Sequence, residues 1–166
     1  MRAHLVSVVV SLATAAVACS DTGGGPPAPA SGHGVGGSSG GGGSSGGAGP
    51  EQTCVDTINM YRATLNLPPY ARWSADESCA DGQARSDSQS GQAHGAFGAC
   101  GEMAQNECPG WPGPAEQMIV DCLQAMWSEG PGGGHYENMR SGDYMHVSCG
   151  FYALGDGTVW AVQDFQ

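Results

Sequence analysis

Six of the chain's seven cysteines lie between Cys54 and Cys149, and this partition constrains the fold more than any other feature. An even set of six fits an oxidising compartment, where disulfides supplement a core too small to suffice alone. The number of possible pairings is large, so the sequence leaves the connectivity open.

The seventh, Cys19, follows a segment of a different kind. Residues 1–18 read as a secretion signal: Arg2, an apolar run from Leu5 to Ala13, then the small residues Ala16-Val17-Ala18. The run falls short of the ~20 residues that cross a bilayer. Ala16-Val17-Ala18 satisfies an ordinary signal-peptidase site, and with Cys19 next it also resembles a lipoprotein box whose cysteine is acylated. A lipid on Cys19 would leave the other six cysteines as an even set. The chain is therefore expected to be secreted or held at the cell envelope, lipid-anchored to an outer membrane when Cys19 is acylated.

Residues 19–50 are expected to be a disordered linker, rich in Gly, Ser and Pro, with too few apolar side chains to offset the entropy of ordering. Residues 51–166 then form one domain. It carries 15 acids against four arginines, and the chain has no lysine, so the formal charge of −11 resides there. Nucleic acid is excluded as a partner on this ground, because phosphate binding needs a basic face.

The apolar spacing of Cys54, Ile58, Tyr61 and Leu65 predicts a helix over 54–65, ended by Pro68-Pro69. Ser74 and Glu77 have the spacing of a capping box for a second helix running to Ser90. Residues 95–114 read as loop, with Cys100 and Cys108 near enough to staple it. A third helix is predicted over 115–128, stopped by the glycines at 130–134. Strands over 145–154 and 158–165 flank Gly155-Asp156-Gly157, a hairpin turn. Helices first and paired strands last argue an α+β domain with an antiparallel sheet.

Two histidines stand near carboxylates. His94 lies in Gly91-Gln92-Ala93-His94-Gly95, eight residues before Glu102, and His135 lies six residues after Glu129. Imidazoles and carboxylates are the groups from which a metal site or an acid–base pair is made. His146, in strand-like sequence, reads as structural. Met103, Trp111, Met118, Met126, Trp127 and Met139 read as core rather than pocket, with Trp111 the best candidate for an exposed aromatic. The cysteines read as structural rather than nucleophilic, since an oxidising compartment works against a free thiol.

Taken in order, these motifs resemble the CAP superfamily of cysteine-rich secretory proteins, venom antigens and pathogenesis-related proteins. Asn59-Met60-Tyr61-Arg62 and Leu67-Pro68-Pro69-Tyr70-Ala71-Arg72-Trp73-Ser74 resemble its opening helix. His94 and Gly101-Glu102 resemble its histidine and Gly-Glu-Asn element. Gly134-His135-Tyr136-Glu137-Asn138-Met139 resembles its Gly-His-Tyr-Thr-Gln signature, and Val147-Ser148-Cys149-Gly150-Phe151 its Val-Gly-Cys-Gly strand. The resemblance implies a three-layer α-β-α sandwich around a small antiparallel sheet. It also implies a cleft lined by His94, Glu102, Glu129 and His135, with Glu137 as a substitute for Glu129. On that footing the expected function is a monomeric, non-enzymatic binding module. A divalent cation such as zinc would sit on His94 and His135, beside a lipid or sterol ligand. The alternative is a zinc-assisted hydrolase using the same cleft.

Overall fold

Pro50 opens the first helix, where its missing N–H costs nothing. The computed structural model describes residues 49–166, so the expected secretion signal, Cys19 and the expected linker up to residue 48 lie outside the described residues. Helix α1 (Pro50–Thr64) thus begins before the linker was expected to end. It buries Cys54, Val55, Ile58 and Arg62 on one face. Helix α2 (Glu77–Ser90) ends on Gly91, whose φ of 68° suits glycine. The capping box expected at its start does not form: Asp76 is the N-cap, and Glu77 is taken by Arg72, Nε to Oε1 at 2.5 Å. Helix α3 spans Ala115–Ser128, and a short helix α4 spans Gly134–Arg140. None of these helices is long and apolar enough to cross a membrane.

Four strands form one sheet in the order β1-β3-β4-β2. Strand β1 (Ala71–Arg72) runs parallel to β3 (His146–Ala153). Strand β4 (Thr158–Phe165) pairs antiparallel with β3 and with β2 (Ala104–Pro112). The sheet is therefore mixed, where an antiparallel one was expected, because a two-residue parallel strand carries no periodicity to read. β2 lies where the sequence read as loop. Its Pro109, Gly110 and Pro112 belong to an edge strand with a register shift between Cys108 and Trp111, a place where such residues are tolerated.

Alternation along the strands sorts the layers. Val147 and Cys149 on β3, with Val159, Ala161 and Phe165 on β4, join the core formed with α1, α3 and α4. Val162, with Trp160 and Tyr152, packs on the other face against Ala80 and Ala84 of α2. At Gly150 the approach of α2 is so close that a Cβ would overlap the Ala80 carbonyl carbon and the Asp81 nitrogen. The α-β-α arrangement follows from these two faces.

The disulfides tie layers rather than loops. Cys54–Cys149 joins α1 to β3, Cys79–Cys100 joins α2 to the segment before β2, and Cys108–Cys122 joins β2 to α3. The staple expected between Cys100 and Cys108 does not exist, because the intervening chain extends into β2. A second lock is polar. Arg62, 1% exposed, donates to the carbonyls of Pro68, Met139 and Ser141 and lies over the Tyr70 ring. The Tyr70 hydroxyl donates to the Asn138 and Ser141 carbonyls. Asn59 exchanges two hydrogen bonds with the Tyr70 backbone. The Asn-Met-Tyr-Arg and Pro-Pro-Tyr segments thus meet at the C-terminal end of α4, the helix that carries His135.

Candidate functional site

His94 ends the turn after α2 with a φ of 58°, a left-handed conformation uncommon for a side chain of its size. Two groups on β2 hold it there. The buried carboxylate of Glu107 accepts the His94 backbone N–H, and the Gln105 Oε1 lies 2.9 Å from its Nδ1. Gly95 beside it must be glycine-sized, since a Cβ would come within 3.0 Å of buried Asp87. Burial pushes the Asp87 and Glu107 carboxyls above their ordinary range. With Nδ1 engaged, the His94 Nε2 is the nitrogen left for a ligand, and the side chain is 43% exposed. A strained backbone over-determined by buried partners is characteristic of functional positions.

His135 is held independently. Its Nδ1 lies 2.5 Å from Glu129 Oε1, and its backbone N–H donates to Glu129 Oε2 at 3.2 Å. Partial burial would raise the Glu129 carboxyl, but the His135 hydrogen bonds outweigh it and hold it below the usual range. Glu137, the offered substitute, is engaged elsewhere by Arg140 and the Gly132 N–H. Asn106 on β2 donates to the His135 carbonyl, and Asn138 donates to Asn106. His135 thus reaches β2 through Asn106, on the face turned to α3 and α4. His94 reaches it through Gln105 and Glu107, on the face turned to α2. The two histidines flank one edge strand and line different hollows.

Glu102 is placed differently from the sequence expectation. It is 7% exposed, accepts from Gln83 Nε2 and from the Gly98 and Cys100 N–H groups, and so closes the loop before β2. Gln105-Asn106, three residues on, stands beside the histidines where a Glu-Asn pair was expected. His146 heads β3, its backbone paired with Gln166. Among the described residues, the triplets able to share a metal ion are Asp76-Cys79-Cys100 and Cys100-Glu102-Asp164; neither includes a histidine.

A hollow of about 500 Å³ is lined by His94, Phe97, Met103, Ala104, Gln105, Asn138 and Tyr144. Phe97 and Met103 are 50% and 56% exposed, so this rim presents apolar surface to solvent. Met103, read as core, belongs to the rim, because β2 begins only at the next residue. Trp111, read as exposed, is half-buried against the core. Tyr144 also lines two adjoining hollows, one with Glu137 and Asp143, the other with Pro68, Pro69 and Met145. These three hollows share Tyr144 and are together termed the Tyr144 trough, the one with Glu137 and Asp143 being lined by polar residues.

Residues 55–165 match the family described as CAP, the cysteine-rich secretory protein family, and the chain belongs to it. Among solved structures it is similar to the venom allergen-like protein 4 of Schistosoma mansoni, at 11% identity and a TM-score of 0.49. That alignment covers 72% of this chain and 90% of the other. No curated protein matches.

Proposed function

We propose that this CAP domain is an extracytoplasmic binding module that takes an amphipathic, lipid-like ligand along the Tyr144 trough. The observation that carries this reading is His94: a histidine pinned by Gln105 and Glu107, its free nitrogen at a rim where Phe97 and Met103 remain exposed. Ligand sites combine an apolar lining with a few fixed polar groups. The trough offers Phe97, Met103 and Tyr144 for a chain, and His94 and Asn138 for a polar head. The three disulfides fit the oxidising compartment this implies.

A divalent cation at His94 or at His135, which line different hollows, extends the reading. Both imidazoles engage an oxygen through Nδ1, the arrangement that orients a metal-binding histidine, and the ion would supply positive charge at the β2 edge. Zinc titration of the full chain by calorimetry, beside the His94→Ala/His135→Ala double variant, tests it. Binding in the parent that is lost in the variant supports the cation; identical titrations remove it. Export with a lipid on Cys19 completes the picture, and the intact mass of membrane-extracted protein tests that part. The hydrolase alternative would use Glu129 as base, and turnover surviving the double variant would remove it.

A further inference from the structure

The domain holds a second cluster of chemistry on the α2 side of the sheet, one whose candidate metal donors include neither histidine. Asp76, Glu102 and Asp164 are 8%, 7% and 0% exposed, and they gather around the Cys79–Cys100 disulfide. Potential donor atoms of Asp76, Cys79 and Cys100 lie within 4.8 Å of one another, and so do those of Cys100, Glu102 and Asp164. Cys100 is common to both groups.

Buried carboxylates are ordinarily compensated by cations, and among the described residues no salt bridge joins these three to one. The neighbours are Gln83 from α2, Ser148 from β3 and Gln105 from β2, all neutral, with Glu107 adding a further acid. The Asp164 Oδ1 accepts from Gln105, but its Oδ2 is buried without a partner. Burial, reinforced by Glu102, Asp76 and Glu107, pushes the Asp164 carboxyl up to about 7. Asp164, one of whose buried oxygens is unpartnered, thus offers a carboxylate oxygen within 4.8 Å of donor atoms of Glu102 and Cys100.

The three disulfides differ in access. Cys54, Cys149 and Cys108 are fully buried and Cys122 is 2% exposed, whereas Cys79 and Cys100 are only half-buried. Reductant reaches Cys79–Cys100 first.

We propose that reduction of Cys79–Cys100 unmasks a thiolate–carboxylate site for a soft divalent cation such as zinc or cadmium, held by Cys79, Cys100, Glu102 and Asp164 with Asp76 beside them. A dithiol supplies the two electrons and two protons: its sulfurs form their own disulfide while the Cys79–Cys100 bond breaks into two thiols. The incoming cation displaces the thiol protons, and the two thiolates favour zinc or cadmium over calcium or magnesium. A disulfide oxidant, itself reduced to two thiols on taking up two electrons and two protons, re-forms Cys79–Cys100 and so releases the ion. Metal occupancy thereby reports the redox state of the surroundings, and Gln105, which bonds both Asp164 and His94, links this site to His94.

The experiment uses the full chain in a Cys19→Ser background, reduced with limiting dithiothreitol without oxygen, with free thiols located by alkylation and mass mapping. Cadmium is titrated while the ultraviolet thiolate-to-metal band is recorded, and near-ultraviolet circular dichroism follows the fold. The expected result is one cadmium per reduced chain, no band in the oxidised chain, and none in Cys79→Ser/Cys100→Ser. Asp164→Asn should keep the band and weaken cadmium about tenfold or more, within the range for lost support at metal sites. No band with Cys79 and Cys100 both free overturns the proposal. So does a band that survives the double serine variant, an affinity unchanged by Asp164→Asn, or loss of the fold on reduction.

Discussion

Asp164→Asn in the oxidised chain, with a chelator present, should change the pH dependence of stability more than stability itself. Asp164 is fully buried, and its carboxyl is pushed up to about 7 by burial and by Glu102, Asp76 and Glu107. In the unfolded chain it titrates near ~3.9. Between these values the folded state holds the proton that the unfolded state has released, so stability falls as pH rises through the interval and levels off above it. At ~1.4 kcal/mol for each tenfold change in proton affinity, the interval amounts to about 4 kcal/mol. Asparagine mimics the neutral acid and can still accept from Gln105, although its amide N–H groups inherit the unpartnered position at a cost of ~1–3 kcal/mol. Urea unfolding of parent and variant at pH 4 and pH 8 isolates the effect. The variant should gain on the parent by about 4 kcal/mol from the lower pH to the higher, whatever the offset at either. A difference constant within ~1 kcal/mol would refute the claim that Asp164 carries this burden.

Four further outcomes follow from the packing. Arg62→Met strands the Pro68, Met139 and Ser141 carbonyls and should cost about 3 kcal/mol or more in urea unfolding. Gly150→Ala forces α2 off β3 at the Ala80–Asp81 peptide, with an expected loss of ~1–3 kcal/mol or more in thermal or urea melts. Gln105→Glu removes the amide that donates to Asp164 and Gln83 and adds a carboxylate among buried acids; stability at pH 8 should drop by ~1–3 kcal/mol, less at pH 4. Paired Cys→Ala changes should rank by the chain enclosed: Cys54–Cys149 closes 95 residues and Cys108–Cys122 closes 14, corresponding to about 5 and about 3 kcal/mol on chain entropy alone.

What the sequence made legible follows its periodicity. Helix α3 has the predicted bounds, and the β3–β4 hairpin turns at Gly155-Asp156-Gly157 as read. The pairing of Glu129 with His135 is present. The misses have local causes. Strand β2 carries prolines and a glycine that only an edge strand tolerates, and α4 is too short to show a helical repeat. The capping box failed because Arg72, delivered by strand pairing, competes for Glu77. Sequence proximity sets Glu102 near His94, but proximity does not decide its partner. Strand alternation decides instead, turning Gln105 and Glu107 toward the α2 layer and Asn106 toward α4. That alternation could be read only once β2 was known to be a strand.

The decisive measurement is a titration of the full chain with a fluorescent fatty acid, alongside His94→Ala and Tyr144→Ala. Saturable binding that each substitution weakens about tenfold or more, a loss of ~1.4 kcal/mol apiece, is the predicted result. Absence of saturable binding, or binding that both variants retain unchanged, would contradict a ligand site in the Tyr144 trough.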